Sequence, residues 1–259
     1  MSSITERLLQ AGIENAAQEA KWLVQYGGEP HIDEIVRRRI DGEPLQYLLG
    51  EWEFYGHPFK VGPGVLIPRP ETELLVDLGA QYKNADFFDL CAGCGCVGIA
   101  LAKETKGNVI AVEKSPDAVK YLQRNVALND VRKQVKIFNE DIFSPHLITL
   151  VSRVLSMITT KSVVLINPPY LSTDEILNLQ KEVRKEPTAA LYGGGDDGLD
   201  FYRRFFAEWR QNLNMVDVLA CEVGDGRADA VCKLMEEIGL TPRVARDYNK
   251  VDRVVYTTK

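Results

Sequence analysis

The residues most suited to chemistry are Asn167-Pro168-Pro169-Tyr170, which follow the apolar run Val163-Val164-Leu165-Ile166. Two consecutive prolines fix the backbone and carry no N–H, so nearby carbonyls meet no competing donor. Asn167 presents a side-chain carbonyl beside the Pro168 backbone carbonyl. Two such acceptors match both hydrogens of one planar –NH2 group, and Tyr170 supplies a flat face to stack on it. The chemistry this suits is reaction at an amide or amino nitrogen, whose lone pair is otherwise delocalised. A proline-stiffened strand exit is the ordinary alternative.

Three other strand ends carry polar residues. Phe87-Phe88-Asp89-Leu90 runs into Cys91-Ala92-Gly93-Cys94-Gly95-Cys96 and then a helix beginning near Val97. A glycine-bearing turn between strand and helix lets a ligand approach the backbone closely. The second strand ends at Glu113, 24 residues after Asp89. An acid at that place suits a ribose diol, whose two hydroxyls both donate to a carboxylate. After the third strand, Asp141 offers an acceptor for an adenine amino group and Ile142 an apolar surface for the ring.

The elements that must position these residues fall into two textures. Residues 1–50 read as short amphipathic helices, with Ile4, Leu8 and Leu9 on one face, then Ala16 to Val24. Gly27-Gly28 should stop the second helix, Pro30 should open the third, and Leu45, Leu48 and Leu49 mark a fourth. Residues 51–72, rich in glycine, proline and aromatics, read as a hairpin-like connector that becomes helical through Leu74, Leu75 and Leu78. From residue 73 to 259 strands at 86–91, 108–113, 134–139, 162–167, 216–222, 243–247 and 251–257 alternate with helices. Those helices are expected at 97–104, 116–128, 146–159, 201–212 and 226–238. The pattern predicts an α/β fold: a seven-stranded, mostly parallel, Rossmann-like sheet with an antiparallel C-terminal hairpin, preceded by a small helical domain.

Composition narrows the function. The 259 residues carry a formal charge of −6, and no apolar run approaches membrane-spanning length. The opening residues lack the pattern of a secretory signal, so a cytoplasmic protein is expected. Residues 1–58 hold 5 basic and 10 acidic side chains, whereas the other 201 hold 26 and 27. Duplex binding needs an excess of Lys or Arg, so no direct nucleic-acid partner is expected, and the acidic front suits a basic protein surface. The cluster Cys91-x2-Cys94-x-Cys96 has no fourth ligand at a zinc spacing, so reduced thiols and no metal are expected.

Taken in order, these motifs resemble class I S-adenosylmethionine-dependent methyltransferases, and over nearly the whole chain they resemble the HemK/PrmC family. The match runs through Gly42 to Gly50, Glu53 to Gly56, Val65-Leu66-Ile67-Pro68-Arg69-Pro70-Glu71-Thr72-Glu73, Glu186-Pro187, Gly193 to Leu199 and Asp252 to Val255. The resemblance implies S-adenosylmethionine as cofactor and N5-methylation of the glutamine in the Gly-Gly-Gln loop of peptide chain release factors. It implies Asn167, Pro168, Pro169 and Tyr170 as catalytic, and these with Arg69 as substrate-binding. Cofactor contacts are implied for Asp89, Cys91, Ala92, Gly93, Cys94, Gly95, Glu113, Asp141, Ile142 and Asn167. From their acidic charge, residues 1–50 are expected to form a substrate-recognition bundle, a bundle that merely caps the sheet being the alternative, and the protein is expected to be a monomer. The chain departs from the family pattern in having Cys91 for the usual first loop glycine, Glu113 for the ribose Asp and Ile142 at an often aromatic position. Two rival readings are an amino-methyltransferase acting on adenine or cytosine and a non-catalytic S-adenosylmethionine-binding protein.

Overall fold

A computed structural model describes residues 2–27 and 31–259. The expected helix stop at Gly28 and start at Pro30 lie outside the described residues. The N-terminal apolar stripes form α1 (Ser2–Gln10), α2 (Ala16–Gly27), α3 (Ile32–Ile40) and α4 (Leu45–Leu49). Leu8, Ala16, Ala20, Leu23, Val36 and Leu45 close over one another as a separate small core. Arg39 is buried within it and donates to both oxygens of Glu19, at 2.6 and 3.0 Å, while a second ion pair reaches Glu182 at 2.7 Å. One guanidinium thus ties two N-terminal helices to a loop 143 residues further on.

The connector contains a true hairpin, β1 (Glu51–Phe54) against β2 (His57–Lys60). Its two-residue turn places Tyr55 at φ 52° and Gly56 at φ 71°, the left-handed pair whose twist matches antiparallel strands. A short turn of 3-10 helix over Pro70–Thr72 then leads into α5 (Glu73–Gly79).

The main sheet follows as β3 (Ala85–Leu90), α6 (Cys96–Thr105), β4 (Asn108–Glu113), α7 (Pro116–Leu128), β5 (Val135–Asn139), α8 (Pro145–Met157) and β6 (Lys161–Ile166). Two short helices absent from the sequence reading, α9 (Thr173–Leu177) and α10 (Thr188–Leu191), interrupt the next loop. Each is five residues or fewer, too short for an apolar period to reveal. The chain continues as α11 (Asp200–Leu213), β7 (Val218–Glu222), α12 (Ala228–Glu237), β8 (Arg243–Arg246) and β9 (Asp252–Thr258). Ser115 and Ser144 start α7 and α8 as N-caps, each followed by proline at the first helical position.

The strand order is β5-β4-β3-β6-β7-β9-β8, parallel throughout except for β9, which runs antiparallel to both neighbours. Alternating side chains feed two apolar layers. Phe87, Val109, Val163 and Leu165 pack with Ile99, Leu101 and Leu122 on one face. On the other, Phe88, Leu90, Val164 and Ile166 meet Leu147, Phe205, Trp209 and Val231.

Several side chains fasten the hairpin to the rest of the domain, among them Asn129, which donates to the Pro58 carbonyl at 2.9 Å, and Asn125 makes the most contacts. Asn125 of α7 is fully buried; it accepts the Lys60 N–H at 2.6 Å and donates to the Lys60 carbonyl at 3.0 Å and the Cys94 carbonyl at 2.9 Å. Asn125→Ala leaves all three backbone groups without that partner, so unfolding free energy should drop by about 3 kcal/mol in urea titration. Wild-type stability in that variant would show that the strut carries no load.

Candidate active site

Parallel pairing brings β3, β4, β5 and β6 to a common edge at their carboxyl ends. Leu90 stands opposite both Val112 and Ile166, and Glu113 stands opposite Asn139. A cavity of about 520 Å3 opens at this edge. Its size is that of a small-molecule or cofactor site, which typically spans roughly 300–1,000 Å3. Asp89, Cys91, Ala92, Gly93, Cys94, Glu113, Asp141, Ile142, Asn167, Pro169 and Arg69 all line it. The fold therefore unites most of the residues singled out in the sequence.

Gly95, Pro168 and Tyr170 are not part of that lining. Gly95 caps α6 with φ 86° and backs onto Leu122 and Ile99. Pro168 is buried. The Tyr170 ring packs into the second apolar layer, and its hydroxyl points to Glu222 at 3.5 Å. Burial pushes the Tyr170 phenol pKa up, so it stays protonated.

The cofactor-type loop holds its shape through backbone angle and carboxylates. Cys91 adopts φ 63°, the left-handed region that a glycine would enter freely. Holding an L-residue there costs roughly 1–2 kcal/mol, which the surrounding fold must supply. Glu113 accepts the Gly93 N–H at 2.8 Å and the Ser115 N–H at 2.7 Å, clamping the loop from the neighbouring strand. Burial raises the Glu113 pKa. Asp89 is buried, accepts the Gly98 N–H at 2.9 Å, and has its pKa pushed by burial up to about 7. Asp141 behaves oppositely. Burial works against its charge, but hydrogen bonds from Lys114 and the Phe143 N–H outweigh that and hold its pKa below the usual range.

On the opposite wall, the Arg69 guanidinium donates to Glu186, whose other oxygen accepts the Ile67 N–H at 3.0 Å. Asn167 donates its Nδ2 hydrogen to the Thr72 hydroxyl at 3.2 Å. Among the described residues its Oδ1 accepts nothing. The segment Gly193 to Gly198 packs directly on the backbone after Asn167. A Cβ on Gly198 would stand 2.1 Å from the Tyr170 carbonyl oxygen, and one on Gly193 would stand 2.7 Å from the Tyr170 Cα. Only glycine permits that approach.

Several lining residues were not foreseen from the sequence. Phe143 and Phe201 pack as a tilted pair with ring centroids 5.2 Å apart, and the Arg204 guanidinium lies 3.9 Å from the centre of the Phe143 ring. Phe143 sits next to Ile142 and was legible as a second apolar surface; Phe201 and Arg204 come from α11 with no local signal. Thr72 lies inside the Pro68 to Glu73 segment, and that motif was its only mark.

The model of the TRM5/TYW2 methyltransferase domain matches residues 79–167, the part from the end of α5 to Asn167. The release factor glutamine methyltransferase of Thermodesulfovibrio yellowstonii is 37% identical over 88% of this chain and 81% of its own length. That of Geobacter sulfurreducens is 37% identical over 96% and 91%. Among solved structures, the hMettl16 catalytic domain in complex with the MAT2A 3′UTR hairpin 6 matches with a TM-score of 0.64 at 13% identity, covering 84% of this chain and 83% of its own. A human methyltransferase 10 domain containing protein gives 0.54 at 14% identity, over 79% and 90%. These last two share the fold, the sheet of class I S-adenosylmethionine-dependent methyltransferases. At the identity and coverage of the first two, the chain belongs to the release factor glutamine methyltransferase family.

Proposed function

We propose that this chain transfers a methyl group from S-adenosylmethionine to the side-chain N5 of the glutamine in the Gly-Gly-Gln loop of peptide chain release factors. The observation that carries this reading is the shared cavity: Asn167 at the end of β6 opens into the same space as Cys91 to Cys94 and Glu113. The donor and acceptor set fits the cofactor. Glu113 and Asp141 offer acceptors for a diol and an amino group, and Ile142 and Phe143 offer apolar surface. A Cβ placed on Gly93 would meet no atom within 4 Å, so the loop is open to close approach there.

When bound, S-adenosylmethionine supplies a methyl group made electrophilic by its sulfonium. The chain's own residues have to align and polarise the substrate nitrogen. Asn167 Oδ1 and the Pro168 carbonyl accept the two amide hydrogens and aim the nitrogen lone pair into the cavity. Arg69 flanks the entry, and Tyr170 stiffens the segment from behind. Alignment of two reactants supplies roughly 7–11 kcal/mol, against roughly 3 kcal/mol for one oriented polar contact, so positioning dominates. No side chain needs to act as a base, because an alkylated amide is acidic enough to lose its proton to water.

Substrate choice is assigned to the N-terminal helices. A glutamine side chain offers little area, so discrimination must come from contacts remote from the reacting nitrogen. Residues 1–58 carry a charge of −5, and Glu6, Glu14 and Glu34 are exposed. This acidic surface meets a basic face of the release factor. The enzyme is read as a cytoplasmic monomer that does not itself bind nucleic acid. Among the described residues no helix is long and apolar enough to cross a membrane.

Asn167→Ala should lower turnover on intact release factor by roughly two to three orders of magnitude, since one oriented carbonyl is lost at the nitrogen. Cofactor affinity by calorimetry should change little. Unchanged single-turnover rates would sink the assignment of Asn167. Mass spectrometry of the Gly-Gly-Gln peptide reads the product directly, and a methyl group found elsewhere would redirect the reading.

Replacing Glu6, Glu14 and Glu34 together by Gln should raise KM for release factor by about threefold or more and leave kcat unchanged, as expected for peripheral charges. Raising salt should weaken the wild-type reaction in the same way by screening. Identical KM values for the two enzymes at low salt would remove the recognition role.

A further inference from the structure

We propose that Thr72 and Glu222 form a positioning relay that fixes which end of the Asn167 carboxamide faces the substrate nitrogen. The proposal rests on the reading of Asn167 as acceptor for the glutamine –NH2 and deepens it.

Thr72 stands at the N-cap of α5, where a threonine hydroxyl ordinarily accepts a backbone N–H of the first turn. It makes no such bond here, and its backbone is already helical at φ −66° and ψ −19°. The hydroxyl, on a residue only 1% exposed, accepts from Asn167 Nδ2 instead. A hydroxyl that accepts one hydrogen still has its own proton to donate. Beside it lies the carboxyl of Glu222, also 1% exposed, which the Thr72 hydroxyl helps to keep charged. Oε2 of that carboxyl has no hydrogen-bond partner among the described residues. A buried carboxylate oxygen left without a donor is costly, and rotation of the neighbouring Thr72 hydroxyl would give it one.

Polarity then propagates. A carboxylate can only accept, so Thr72 must donate to Glu222 and is left to accept from Asn167. Asn167 must therefore present Nδ2 to Thr72 and Oδ1 to the cavity. With Glu222 protonated, Thr72 can instead donate to Oδ1, which turns the –NH2 of Asn167 toward the –NH2 of the substrate. Two donors then face each other and the lone pair is no longer aimed.

The groups facing Glu222 set where this reversal occurs. Arg253 on β9 and the hydroxyls of Thr72 and Tyr170 favour the charged form, while Glu71 opposes it. Tyr202 donates to the Glu222 backbone carbonyl at 2.6 Å, and Cys96 lies close enough to feel its charge. Burial outweighs these and pushes the Glu222 pKa up to about 7. Above that value the relay points the productive way, and it is lost as pH falls through it.

The test uses full-length enzyme, intact release factor and S-adenosylmethionine, with Thr72→Ser, Thr72→Val and Glu222→Gln. Thr72→Val should lower kcat by about tenfold to a hundredfold, the usual effect of losing a partner that orients a functional group. Its cofactor affinity by calorimetry should hold, and Thr72→Ser should restore kcat. Wild-type kcat should fall below about pH 7, and that acid limb should vanish in Thr72→Val and in Glu222→Gln. The Asn167 side-chain amide resonances should shift with the same midpoint in wild type and stay fixed in both variants. Asp89 titrates in the same range but is present in every enzyme, so an acid limb that persists in Thr72→Val or Glu222→Gln overturns the relay. Full kcat in Thr72→Val overturns it as well. A wild-type enzyme that leaves the release factor unmethylated would instead remove the underlying reading.

Discussion

Parallel strand pairing is the constraint on which this molecule depends. Once β4, β3 and β6 lie side by side in the same direction, their carboxyl ends must reach one edge together. Leu90, Val112 and Ile166 are in register across that edge, so the residues that follow them are delivered to one place. Cys91, Glu113 and Asn167 are each the first residue beyond that row. Moving any strand by one position would swap its side chains between the two apolar layers as well as shift its polar end. Core packing and site geometry are therefore enforced by the same register.

Register alone does not make the loops rigid. Each strand end is stiffened by a different device, and each device has an energetic cost elsewhere. After β3 the chain turns through a left-handed Cys91, held because Glu113 grips Gly93 and Ser115. After β6, two prolines remove backbone freedom and the Gly193 to Gly198 segment seals the far side. A parallel bridge between Leu171 and Tyr192 holds that segment in place. Asn125 then locks the connector hairpin to the loop after β3 through the Cys94 carbonyl. The cavity is thus bounded by backbone held on several sides, as a site that works by alignment requires.

The sheet was legible because each strand and long helix has its own period. Strand positions came within a residue or two, and α7 was read at its observed limits because Ser115 and Pro116 mark its start. The short helices α9 and α10 were not legible, since four or five residues do not complete an apolar stripe. Among site residues, those at strand ends could be read from sequence: Asp89, Glu113, Asp141 and Asn167 all reach the cavity. Tyr170 shows the limit of such reading. Its place next to two prolines suggests a stacking face, but the ring packs into the second apolar layer and the hydroxyl points to Glu222. Arg204 and Phe201 depend on how α11 packs against the sheet, which no local pattern states.

The two halves of the cavity differ in how their geometry is encoded. The half built from Cys91 to Cys94, Glu113 and Asp141 comes from three successive strand–helix units, each positioned by its own crossover. Such a half can persist wherever the sheet persists, and the fold is shared with chains only 13% identical. The half around Asn167 is assembled from β6, the start of α5, the end of β7 and the Gly193 to Gly198 segment. Those pieces are far apart in sequence and meet only if every packing contact between them is right. Asn167 reaches Thr72 across 95 residues, and Arg69 reaches Glu186 across 117. A neutral amide nitrogen reacts only when both of its hydrogens are held and its lone pair is aimed, which tolerates little displacement. The segment from Pro68 to Glu73 carries several of these long-range contacts. Arg69 is held by Glu186, Thr72 holds Asn167, and Glu73 accepts the Tyr55 N–H at 2.7 Å to fix the hairpin above them.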